Sequence, residues 1–133
     1  MAESILDASA FLAYLHGEPG ADAVTEAIAE GTAMSTVNLA EVLSRVADRG
    51  GDPARVAEKL SDEGLLHGAI WIEELTHEDA VEVARLRLLT RDAGLSLADR
   101  SCLVLALRLD LPTLTADSAW SQIDVGAEIR MIR

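Results

Sequence analysis

Short apolar runs alternate along the chain with longer amphipathic stretches. Ser4-Ile5-Leu6 predicts a short strand that ends at Asp7. Ser9 to His16 predicts a helix closed by Gly17 and Pro19, and Ala21 to Glu30 a second one stopped by Gly31. Thr32 to Ser35 reads as the next strand. Thr36 or Asn38 is the cap candidate for a helix that reaches about Arg49 and ends at Gly50-Gly51. Asp52-Pro53 pairs a cap with a proline at the first helical position, opening a helix that ends near Gly64. Ala69 to Ile72 is a third strand. Thr76 with Asp79, and Ser96 with Asp99, resemble capping boxes with Asp in place of the commoner Glu. They open helices that continue to about Asp92 and Leu109. Pro112 to Thr115 is a fourth strand and Glu128 to Ile132 a fifth. Strands this short and apolar, separated by helical patterns, predict an α/β fold: a parallel sheet covered by helices.

Composition narrows the class. The chain has 133 residues, which suits one domain over 1–133, and half of them are apolar, which excludes disorder as the default state. Eleven basic and 23 acidic residues leave a net charge of −12, unlike the basic footprint of a general polyanion binder. The single cysteine, Cys102, forms no internal disulfide and sits among Leu103, Leu105 and Ala106, as a core residue would. Trp71 and Trp120 lie outside any basic aromatic cluster and read as packing residues. The N-terminal MAESILD lacks a basic region followed by an apolar one, and no apolar run approaches a membrane span. A cytoplasmic protein without a membrane partner is expected.

The chemistry rests on four carboxylates. Ligands of an open parallel sheet bind at the carboxyl ends of its strands. Asp7 directly follows the first strand and Asp117 the fourth. Asp99 lies in the first turn of the apolar LSLADRSCLVLAL helix, and Glu41 one turn into STVNLAEVLSRV, flanked by Leu39, Ala40, Val42 and Leu43. Each has an ordinary explanation: Asp7 as a cap, Asp99 as a first-turn acid favoured by the helix dipole, Asp117 as a turn residue, Glu41 as the partner of Arg45. Together they point to a shared site. Four carboxylates at one edge repel unless a cation neutralises them, and all-oxygen donors suit Mg²⁺ or Mn²⁺. His16, His67 and His77 show no zinc spacing.

ILDASAFLAYL, STVNLAEVLSRV, LSLADRSCLVLAL and LTADSAW occur in an order and spacing that resemble the PIN-domain family, specifically the VapC type of type II toxin–antitoxin systems. The resemblance covers nearly the whole chain. It implies a three-layer α/β/α sandwich around a short, mainly parallel sheet, and metal-dependent endoribonuclease activity. Carried onto this sequence, Asp7, Glu41, Asp99 and Asp117 would be the catalytic and metal-binding acids. Ser9 and Thr115 match small hydroxyl positions beside the first and last of these, with Ser118 adjacent. The same resemblance implies an RNA substrate, a VapB-type antitoxin and a homodimer.

An acidic nuclease still has to hold a polyanion. Arg45 and Arg49 share one helix face, and Arg85, Arg87, Arg91 and Arg100 fall close together, so these arginines are candidate RNA contacts. Pairing with surface acids such as Glu82 and Asp92 is the alternative. Other strand-end carboxylate chemistries fit less well. A receiver domain needs a lysine after its last strands, and the only lysine, Lys59, is mid-chain. A haloacid-dehalogenase-type phosphatase needs an Asp where Ser9 stands. A housekeeping RNA-processing nuclease and a non-catalytic RNA- or protein-binding module stay open as alternatives.

Overall fold

The computed structural model describes all residues from Met1 to Arg133. Five parallel strands form one sheet: β1 (Ser4–Leu6), β2 (Thr32–Ser35), β3 (Ile70–Glu73), β4 (Thr113–Thr115) and β5 (Ile129–Met131), in the order β3-β2-β1-β4-β5. Helices α1 (Ala8–His16), α2 (Ala21–Glu30), α3 (Thr36–Asp48), α4 (Pro53–Asp62), α5 (His77–Thr90) and α6 (Leu97–Leu109) connect them, and a 3₁₀ turn (Ser118–Gln122) follows β4.

Parallel pairing needs long crossovers, which the helices supply from β1 to β4 and the segment around the 3₁₀ turn supplies from β4 to β5, and it buries both sheet faces. The alternation of strand side chains divides the core in two. Leu6, Met34 and Leu114 pack with Phe11, Val24, Val42 and Leu60 of α1–α4. Ile5 and Ala33 point the other way, onto Val83 and Leu86 of α5 and Cys102 to Ala106 of α6. The result is the expected three-layer α/β/α sandwich. Gly31 carries α2 into β2 at φ +102°, and a Cβ there would lie 2.9 Å from the Met1 carbonyl oxygen, so only glycine fits the junction.

Chain order sets the location of the site. From β1 the sheet grows through β2 to β3 on one side, then resumes with β4 and β5 on the other. The reversal falls between β1 and β4, and the crevice beyond their carboxyl ends is where such sheets bind ligands.

Some local expectations shift. The cap of α3 is Ser35, whose Oγ accepts from the Val37 N–H at 3.2 Å, in place of Thr36 or Asn38. Asn38 is instead fully buried inside α3. Trp71 is 47% exposed on the edge strand β3, so it does not pack in the core, whereas Trp120 and Cys102 are fully buried. Burial pushes the Cys102 thiol well above its usual range, with nearby carboxylates adding to the effect. No helix is long and apolar enough to cross a membrane.

Candidate active site

Asp7, Glu41, Asp99 and Asp117 line one pocket of about 290 Å³, together with Ser9 and Arg45. Four separate segments deliver them: the β1–α1 junction, α3, the first turn of α6, and the end of β4. Three of the acids are also helix caps. Asp7 caps α1 by accepting from the Ala10 N–H at 2.8 Å. Asp117 caps the 3₁₀ turn by accepting from the Ala119 N–H at 3.0 Å. Asp99 completes a capping box, its Oδ2 accepting from the Ser96 N–H at 2.8 Å. Capping therefore orients the carboxylates and is no alternative to their convergence.

Asp7 is the most constrained. It is 2% exposed. Thr115 Oγ1 donates to its Oδ2 at 2.6 Å, and Ser9 Oγ lies 2.8 and 2.9 Å from its two oxygens. The hydroxyls are held in turn: Ser9 Oγ accepts from the Ala116 N–H at 2.9 Å, and Thr115 Oγ1 from the Asp117 N–H at 3.1 Å. This network ties the end of β1 to the end of β4. Ser118 takes no part; its side chain bonds to none of the acids, and its carbonyl accepts from Ser121 Oγ at 2.7 Å.

Desolvation pushes the Asp7 carboxyl up to about 6, against the lowering effect of its three hydrogen-bond partners, and Asp99 adds repulsion. Glu41 is also raised, first by burial, then by Asp99, with Arg45 acting in the opposite direction. The acids thus feel one another across the pocket, and Arg45 is the one basic side chain lining it.

The donor set fits a hard cation that keeps its own water. No three His, Cys, Asp or Glu side chains are close enough to form a preformed cage. Mg²⁺ does not require one, since it retains several waters and takes one or two carboxylates plus substrate phosphate. Asp7 has three donors, the Ala10 N–H, Thr115 and Ser9, for its four acceptor positions. Asp99 and Asp117 each keep one oxygen outside their caps, and Glu41 keeps both.

Asn38 was legible in the sequence only as a cap candidate. Its Nδ2 donates to the Ala98 carbonyl at 3.1 Å, holding α3 against the first turn of α6 and so Glu41 against Asp99. Arg100 requires a correction. It is 6% exposed and its Nη1 donates to the Val83 carbonyl at 2.9 Å, so it locks α6 to α5 and is not free to reach RNA. Arg85 pairs with Glu82 at 3.2 Å. Arg87 and Arg91 are exposed but do not line the acidic pocket, whereas Arg45 does.

The PIN domain family profile matches residues 4–126, and the chain belongs to that family. No curated protein sequence matches it. Among solved structures it is similar to a toxin–antitoxin complex from Klebsiella pneumoniae (18% identity, 98% of each chain covered, TM-score 0.70). It is similar as well to the DNA-bound VapBC of Salmonella typhimurium (14% identity, 100% of each chain, TM-score 0.71). A third similar structure is Mycobacterium tuberculosis VapC20, described as a sarcin-ricin loop cleaving toxin (16% identity, 91% of this chain and 96% of that one, TM-score 0.68). At these identities the likeness establishes the fold.

Proposed function

We infer that this protein is a metal-dependent endoribonuclease that hydrolyses RNA phosphodiester bonds as the toxin of a VapBC-type pair. The observation that carries the reading is the gathering of four carboxylates from distant segments into one pocket at the β1/β4 switch point. Family membership and the resemblance of the fold to toxins crystallised with antitoxins support it. The same reading includes a VapB-type antitoxin partner, a homodimer and a cytoplasmic location.

Asp7, Asp99, Asp117 and Glu41 are the residues that would hold Mg²⁺ or Mn²⁺. Such an ion lowers the pKa of a bound water and stabilises negative charge on phosphoryl oxygens. Asp7 is held rigidly by Ser9, Thr115 and Ala10, so it serves as the fixed anchor of the site. Glu41 has no internal hydrogen bond and lines the pocket beside Arg45, which supports a role in completing the metal shell or orienting the nucleophilic water. Arg45 can hold a phosphate oxygen of the substrate, with Arg49, Arg87 and Arg91 as outer contacts.

Purified protein incubated with cellular RNA and Mg²⁺ or Mn²⁺ is expected to cut it, and to stop on addition of EDTA. Expression in a bacterial host is expected to arrest growth, relieved by co-expression of the gene encoded beside it. Absence of cleavage with either ion, or undiminished cleavage in EDTA, refutes the enzymatic reading.

A further inference from the structure

A second pocket, of about 220 Å³, opens beside the acidic one and shares two of its walls, Leu12 and Arg45. Leu15 and His16 of α1, Val46 and Arg49 at the end of α3, and Gly51 complete it. Its lining is apolar and basic, where that of its neighbour is mainly acidic and polar. Glu41, Arg45 and Arg49 are spaced four residues apart on α3, so they form one stripe with steps of about 6 Å along the axis. The stripe starts in the acidic pocket and ends at the rim of the second one. Arg49 is fixed there: its Nη1 lies 3.2 Å from His16 Nε2, and since a guanidinium only donates, the imidazole nitrogen accepts. The turn at Gly50-Gly51 folds tightly over the end of α3, where the Gly51 N–H donates to the Val46 carbonyl at 2.9 Å. A Cβ at Gly51 would meet Val46 Cγ1 at 2.7 Å, so a side chain there would disturb the pocket wall.

We propose that the Leu12–Leu15–Val46 pocket is a nucleotide subsite that holds the residue next to the scissile bond, its base on the apolar floor and its two flanking phosphates on Arg45 and Arg49. This rests on the nuclease reading and adds to it where the neighbouring nucleotide lies. The volume is below the roughly 300–1,000 Å³ of sites for drug-sized ligands, which suits a single nucleoside. The rise of about 6 Å along α3 between the two arginine positions is comparable to the stride of an extended sugar-phosphate backbone. On a chain with a net charge of −12, two arginines converging on one rim form a local positive focus in an otherwise repulsive field. Single-stranded nucleic acid is held by a positively charged groove beside faces that pack against its bases; here the charge is Arg45 and Arg49 and the face is aliphatic, Leu12, Leu15 and Val46.

The probe is adenosine 3′,5′-bisphosphate, with the 5′-monophosphate and the bare nucleoside as comparators. Each is titrated in EDTA into the full-length protein carrying ¹³C-labelled Leu and Val methyls. The bisphosphate is expected to move the Leu12, Leu15 and Val46 methyls saturably, the monophosphate to bind about tenfold more weakly, and the nucleoside weaker still. In Arg49→Ala the bisphosphate is expected to fall to the affinity of the monophosphate. No shift at these methyls, or the same affinity for all three compounds, overturns the subsite; the latter marks an apolar groove for a protein segment. An unchanged ladder in Arg49→Ala overturns it too. Because no cleavage is involved, the titration is decided separately from the nuclease reading. Should RNA be cut, Arg49→Ala is expected to raise KM about tenfold with kcat within about twofold, and an unchanged KM counts against the subsite while leaving the nuclease reading intact.

Discussion

Asp79 and Asp99 occupy the same position of the same local motif, and they have different chemistry. Each is the third residue of its helix, accepting from the N–H of the capping residue while that residue's hydroxyl accepts in return. At Asp79 the remaining oxygen meets Arg108 Nε at 3.2 Å, beside a cavity of about 340 Å³ between α5 and α6. At Asp99 the remaining oxygen has no such partner and the residue faces the pocket of Asp7 and Glu41, both of which its charge pushes upward. One carboxylate is neutralised by a neighbouring helix and becomes structural. The other is left among like charges, a state that favours a cation. Local sequence determines the cap, and tertiary surroundings determine what the cap's spare oxygen does.

The sharpest way to break this contrast is to neutralise each acid in turn. Asp99→Asn is expected to lower RNA cleavage by roughly 10²–10³-fold, and to change stability by less than about 1 kcal/mol. Asp79→Asn is expected to leave cleavage within about twofold and to cost about 1–2 kcal/mol, below the 3–5 typical of a buried pair because Arg108 is part-exposed. Cleavage assays and urea unfolding on both variants decide it. Equal loss of activity in the two, or none in Asp99→Asn, removes the distinction.

Much of the fold was legible because the strand and helix signals lie within single segments. Gly17, Gly31 and the Asp52-Pro53 start mark boundaries that the structure reproduces. The acids were legible as candidates for the same reason, since a strand that ends in Asp needs no distant information. What lay beyond local reading depends on packing between elements. Asn38 looked like a cap and is a buried strut to Ala98. Arg100 looked like a surface cation and is committed to the Val83 carbonyl. Trp71 looked like a packing residue, but the order of strands leaves β3 at an edge and the side chain half-exposed. The stripe from Glu41 to Arg49 was half legible: its spacing is in the sequence, whereas the α1 wall that turns it into a pocket is not.

A second prediction sharpens the same contrast through pH. In the folded chain the Asp7 carboxyl titrates near 6, above its ordinary 3.8. Well below pH 3.8 it is protonated whether folded or not, and no penalty exists. Between about 3.8 and 6 the unfolded chain ionises this group while the folded chain keeps its proton, so stability falls by about 3 kcal/mol over that window, roughly 1.4 per unit, and the penalty is complete above 6. In EDTA at pH 7, Asp7→Asn is therefore expected to be more stable than the parent by about 2 kcal/mol, with the gain vanishing as pH falls below 3.8. Urea midpoints across that range measure it. A variant that is destabilised at pH 7, or whose difference from the parent does not change with pH, contradicts the strained-acid picture.

The smallest effect concerns the hydroxyls that restrain Asp7. Thr115 is the largest of its lowering partners, ahead of the Ala10 N–H and Ser9. Thr115→Val keeps the shape of the side chain and removes the 2.6 Å bond. A net hydrogen bond of about 1 kcal/mol corresponds to roughly half to one unit, so the Asp7 carboxyl is expected to rise by that amount above 6. Ser9→Ala is expected to raise it less, because Ser9 divides one proton between two oxygens. Carboxyl ¹³C titrations of the two variants in EDTA give the order directly. Should Ser9→Ala produce the larger rise, Asp7 is held chiefly through Ser9, whose bond to the Ala116 N–H then carries the link to β4; should Thr115→Val do so, Asp7 is held in place by the two strand ends that flank the crevice.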